Sequence, residues 1–156
     1  MSDATVPESR AYRHVQCDNE TVVSGQPFEL VSNPMSSITQ TWCSDCNGYF
    51  PISDYQWSDT GENLSDYFAR HTQSATDMQR FLCSKKFMVI LWIIGFLLSA
   101  LGATVLFADQ ALWVKIVFIP LTGLIGVLIA SAVFISGFAN PITRKVCGVE
   151  DTRTLT

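Results

Sequence analysis

The sequence predicts a small soluble α+β domain, built of antiparallel strands and short helices, followed by a two-helix transmembrane hairpin. Three observations carry this expectation. Residues 87–107 and 116–138 contain no Asp, Glu, Lys, Arg or His, and each approaches the roughly 20 apolar residues that an α-helix needs to cross a bilayer. Hydrophobic residues make up 48% of the chain, yet every charged residue lies outside those two runs, so the average conceals two different materials. Upstream, short β-branched or aromatic pieces alternate with turn-forming residues. The expected partition is an unstructured stretch over 1–11, a strand-rich domain over 12–57, a helical connector over 58–86, the hairpin over 87–138 and a cytoplasmic tail over 139–156.

Strands are expected at 12–16, 20–23, 28–31 and 38–42, separated by Asp18-Asn19, Gly25-Gln26-Pro27 and Ser32-Asn33-Pro34 as turns. After Cys46, Asn47-Gly48 supplies residues that tolerate left-handed backbone angles, and Tyr49, Phe50, Pro51, Tyr55 and Trp57 supply core material. Asp59 or Thr60 is expected to cap a helix that places Leu64, Tyr67, Phe68 and His71 on one face. A second capped start, Ser74-x-x-Asp77, is expected to run straight into the first span.

Charge is unevenly distributed. Residues 1–66 hold ten acidic residues against Arg10 and Arg13, whereas Arg70, Arg80, Lys85 and Lys86 precede the first span and Arg144 and Lys145 follow the second. The positive-inside rule then places both termini in the cytoplasm, at the inner membrane in a bacterial cell, with the 108–115 loop outside. No apolar stretch occupies residues 1–20, so the first span is expected to serve as the insertion signal. An acidic domain also argues against nucleic acid, whose phosphates select basic surfaces.

His14-x-x-Cys17 and Cys43-x-x-Cys46 offer four ligands of the types zinc prefers, in two pairs whose spacing lets both donors of a tight turn reach one ion. Cytoplasmic thiols stay reduced, which favours metal binding over disulfides for this set of five cysteines. Over residues 12–50 the pattern resembles a zinc ribbon. The resemblance implies His14, Cys17, Cys43 and Cys46 as the ligands of a structural zinc ion, with no position left open for a substrate. It departs from the ribbon pattern in lacking a glycine soon after Cys17, where Asp18-Asn19 must make the turn.

Other uses of these residues compete with that reading. Cys43-x-x-Cys46 has the spacing of thiol–disulfide exchange, but no βαβ pattern surrounds it. Covalent haem attachment fails because Asn47 stands where histidine is required. His71 and Cys83 are substitute ligands whose positions suit packing better, and Cys147 reads as a juxtamembrane thiol, with palmitoylation as an alternative.

Within the spans, the absence of ionisable residues removes the ion pairs and proton relays that transporters use. Gly95, Ser99, Gly102 and Ala103 in the first span, and Gly123, Gly126, Ala130 and Ser131 in the second, are spaced to let helix backbones approach, within one hairpin or between copies. Pro120 is expected to bend the second span slightly, with Trp113 as an interfacial anchor and Trp92 deeper. The expected function is therefore non-catalytic: a membrane anchor or accessory subunit whose zinc-stapled domain meets a cytoplasmic protein. A homo-oligomeric channel or transport component with Thr122, Ser131 and Ser136 along its pore is the alternative, and a membrane thiol oxidoreductase is a third.

Overall fold

The computed structural model describes residues 6–156, which divide into two compact units. One contains the described residues up to Thr76 together with Ile142–Thr156; the other is Asp77–Pro141. Residues 1–5 of the stretch expected to lack structure lie outside the described residues, and Ser9, Arg10 and Ala11 already belong to the first strand.

In the first unit, β1 (Ser9–His14) lies between β2 (Asn19–Ser24) and β5 (Tyr55–Trp57), antiparallel to both. A separate ribbon pairs β3 (Gln40–Cys43) with β4 (Gly48–Pro51). Tyrosine hydroxyls join the two sheets: Tyr12 donates to the Trp42 carbonyl (2.8 Å) and Tyr55 to that of Thr41 (3.1 Å). Each thereby satisfies a buried polar tip while its ring fills the core.

The strand expected at 28–31 is instead part of helix α1 (Gly25–Ser32). Pro27 sits in its first turn, where a missing N–H costs nothing, and Phe28, Val31 and Ser32 turn one buried face inward. Helix α2 (Leu64–His71) is capped by Asn63, which accepts from the Ser65 N–H (2.8 Å), and not by Asp59 or Thr60. Asp59 is engaged elsewhere, paired with Arg10 at 3.0 Å, while Arg10 also stacks on Trp57 with its guanidinium carbon 4.0 Å from the ring. Leu64, Tyr67 and Phe68 of α2 join Tyr12, Phe28, Tyr55 and Trp57 in the core.

In the second unit, α3 (Asp77–Leu82) does not continue into the first long helix. Ser84 interrupts it, donating to the Phe81 carbonyl (2.6 Å) and accepting from the Phe87 N–H (3.3 Å). It thus caps α4 (Lys85–Leu106), as serine does when its side chain competes with helical backbone bonds. Helix α5 (Leu112–Val133) returns after a short loop, with Lys115 in its first turn. Both long helices are long and apolar enough to cross a membrane.

The contact between them is built on small residues. A Cβ added to Gly95 would lie 2.6 Å from the Gly126 carbonyl oxygen, and one added to Gly126 would collide with the Gly95 carbonyl and Ser99 Oγ. Trp92, expected to sit deep, donates its indole N–H to Ser131 Oγ across the pair (2.8 Å), and Ser131 donates to the Val127 carbonyl (2.9 Å).

Beyond α5 the chain winds as a π-helix over Phe134–Ala139 and then continues as α6 (Asn140–Cys147). The wider turn immediately precedes Pro141, whose ring would meet the carbonyl four residues back in a regular α-helix. Gly148, at φ 70°, ends α6 with its N–H on the Arg144 carbonyl (2.9 Å). The segment read from sequence as a tail then packs into the first unit. Leu155 is buried in its core, the Leu155 carbonyl accepts from Arg10 (3.2 Å), and Arg70 donates to the Thr156 oxygen (3.0 Å).

Candidate metal centre

His14 ends β1 and Cys43 ends β3, and each begins a four-residue turn that closes a hairpin. The closing pairs are His14 with Asn19 and Cys43 with Gly48. In both turns the second ligand stands three residues after the first, and the residue after that takes a left-handed conformation: Asp18 at φ 56° and Asn47 at φ 49°. Asp and Asn tolerate this region because their short polar side chains bond locally. The missing glycine after Cys17 is therefore met by an aspartate in the position that asparagine occupies in the other turn. Ser44 ties the hairpins together, its hydroxyl accepting from Asn19 Nδ2 (3.0 Å) and lying 3.4 Å from the Thr21 hydroxyl.

The two turns bring His14, Cys17, Cys43 and Cys46 together, with their ligand atoms all within 4.8 Å of one another. His14 Nδ1 is 3.2 Å from Cys17 Sγ and 3.6 Å from Cys46 Sγ, and Cys17 Sγ is 3.6 Å from Cys43 Sγ. With metal bonds of about 2.3 Å to sulfur and about 2.0 Å to nitrogen, the edges of a tetrahedral zinc site are roughly 3.5–3.8 Å, close to these separations. The five cysteines are free, so no disulfide competes for these thiols.

The ring of His14 is fully buried between Phe50 and Tyr55, at centroid distances of 4.5 and 4.8 Å. That sandwich points Nδ1 toward the thiols. Its buried Nε2 has no hydrogen-bond partner among the described residues, which leaves aromatic packing to orient the ring in place of the outer acceptor that metal-bound histidines usually have.

Protons resist leaving this cluster together. Burial opposes ionisation of Cys43, but the Cys46 and Asp45 backbone N–H groups and the Cys17 thiol outweigh it and hold the Cys43 thiol below its ordinary range. Cys46 is pushed up to about 12, chiefly by its hydrogen bond with Cys17 and further by Cys43. A divalent cation relieves such crowding by neutralising the thiolates as they form.

His71 and Cys147 lie in the same unit but outside the cluster: the His71 ring packs 4.7 Å from Tyr67, and Cys147 rests against the hydrophobic core, where burial raises its thiol pKa. Cys83 is buried in the other unit. The contributions of Ser44, Phe50 and Tyr55 to the centre escaped the sequence reading. The shared offset of Asp18 and Asn47 from their ligand pairs was the one available signal that the two turns are built alike. Sequence and structure comparisons leave the centre to be read from its own chemistry: no family model, no curated protein and no solved structure matches the chain.

Proposed function

We propose that the chain is a two-pass membrane protein whose aqueous domain is stapled by a structural zinc ion and serves as a non-catalytic anchor or accessory subunit for another protein. The observation that carries this reading is the convergence of His14, Cys17, Cys43 and Cys46 within 4.8 Å. Four protein ligands fill a tetrahedral shell and leave no position for substrate, which suits an ion that holds a fold together.

The division of the chain supports the topology. Residues on both sides of the hairpin contribute to one core, since Leu155 packs with Tyr12 and Trp57. This supports both flanks lying in one aqueous compartment, which an even number of crossings between them allows. Arg80, Lys85, Lys86, Arg144 and Lys145 near the ends of the hairpin favour the cytoplasm as that compartment, where thiols remain available to metal.

Elemental analysis and native mass spectrometry of the detergent-solubilised chain test the reading. One zinc per chain and copurification with another protein are expected; isolation as a conducting homo-oligomer would replace it with a channel. In the same assay, Cys43→Ser should release zinc and unfold the strand-rich region while membrane insertion persists, because the spans insert by hydrophobicity alone. Full zinc content in that variant would refute the ligand assignment.

A further inference from the structure

The four ligands differ sharply in access to solvent. His14 and Cys43 are fully buried, Cys17 is partly exposed and Cys46 is exposed. The order follows from the hairpins: His14 and Cys43 are the last residues of strands and face the core, whereas Cys17 and Cys46 ride on the turns. A closed metal site is inert when its sulfurs are shielded. Here the residue that carries one sulfur of the proposed shell is exposed to solvent, and two other thiols lie within 4.8 Å of that sulfur.

We propose that Cys46 is a modification site for small peroxides, and that its oxidation ejects the metal from the centre. The inference rests on the zinc reading above. The chemistry balances with hydrogen peroxide as the oxidant. The Cys46 thiolate attacks one peroxide oxygen; an S–O bond forms, the O–O bond breaks, hydroxide leaves, and Cys46 becomes a sulfenic acid. A neighbouring thiolate, Cys17 or Cys43, then attacks that sulfur; the S–S bond forms and a second hydroxide, or water after protonation, departs. Two thiolates lose two electrons and the peroxide gains two. The ion is left with His14 and a single thiolate, too few protein ligands to hold it.

Loss of the ion has a structural consequence beyond the ligands. Between the β1–β2 and β3–β4 turns the Ser44 hydroxyl bonds Asn19, and an ion held by the four ligands would add a second and stronger tie. A Cys43–Cys46 disulfide would stay within the β3–β4 turn and leave the two turns without the ion between them, whereas a Cys17–Cys46 disulfide would join them covalently; a dithiol reductant with zinc would restore the centre in either case.

The test uses the full chain in detergent, with its zinc content measured first. Hydrogen peroxide is added in steps, released zinc is read with a chromogenic chelator, and thiols are mapped by differential alkylation and peptide mass spectrometry. Expected are up to one zinc released per chain, two thiols lost per zinc, Cys46 in every oxidised form of the cluster, and recovery with dithiothreitol and zinc. Oxidation of Cys17 or Cys43 with Cys46 intact overturns the proposal, as does retention of zinc while excess peroxide consumes Cys83 or Cys147. A Cys46→His variant, which keeps a nitrogen ligand but removes the exposed thiolate, should release zinc at least about tenfold more slowly; release at the unmodified rate also overturns it. Absence of zinc before peroxide is added is a different failure, that of the metal reading itself.

Discussion

The first unit and the two long helices of the second bury opposite kinds of side chain. The unit with the candidate metal centre hides Trp57, Tyr12, Tyr55, Tyr67, Phe28 and Leu64 almost completely. Helices α4 and α5 bury only Ala103, Gly123, Gly126 and Ala130, while Leu97, Leu98, Leu101, Leu128 and Ile129 are each more than half exposed. Water drives large apolar groups inward, so the first arrangement suits an aqueous surrounding. Lipid tails offer no such gain, and helices among them associate where small residues let backbones approach. The inversion is what the proposed two-pass reading expects of a chain whose halves face different solvents.

The largest effect that would break this contrast is expected at Gly126. A leucine there would drive its Cβ into the Gly95 carbonyl oxygen, a backbone atom that cannot rotate away. Gly126→Leu should cost more than about 3 kcal/mol, beyond the usual range for overpacking, and separate α4 from α5. Cross-linking of cysteine pairs placed on the two helices reads this, and zinc content should not change. Loss of zinc in this variant would mean that the units are not independently held.

Leu155→Ala probes the other side of the comparison. Leu155 lies far from the candidate centre in sequence but is 7% exposed within the core that the ligand-bearing strands share. A cost of about 2–3 kcal/mol is expected, seen as zinc release at a lower temperature while the α4–α5 contact persists. An unshifted release temperature would detach the final segment from that core.

A smaller change sharpens the picture at the surface of the aqueous unit. Arg70 donates to both carboxylate oxygens of Glu62 (2.9 and 2.7 Å), and this pairing holds the Glu62 carboxyl below its usual range. Because the folded pKa is the lower one, the stabilisation is complete above the unfolded pKa and disappears as pH falls through the folded value. Glu62→Gln should therefore lower stability by about 0.2–1 kcal/mol near pH 7, the ordinary worth of an exposed ion pair, and by nothing at strongly acid pH. A loss of the same size at both extremes would assign the effect to packing instead of charge.

Much of the candidate centre was legible because its signals are local. Both ligand pairs announce themselves by spacing, and the two apolar runs by length and lack of charge. The misread elements were those in which local and distant preferences compete. Phe28 and Val31 are β-formers by type, yet the α1 helix turns both into one buried face, a gain that strand propensity does not anticipate. Asp59 has the chemistry of a helix cap but is drawn to Arg10, and Ser84 breaks a helix that the hydrophobic pattern alone would continue.

By itself, the amino-acid order determined which residues carry metal-ligating chemistry, how long the apolar runs are, and which stretches favour strands, since these depend on side-chain type and on neighbours a few positions away. Only the tertiary structure decided that the two ligand pairs meet, that His14 is clamped between Phe50 and Tyr55, that Cys46 alone of the four stands open, and that the final residues return to the first domain. Those outcomes depend on how hairpins and segments far apart in the chain share one core, and no window of local sequence contains that free energy.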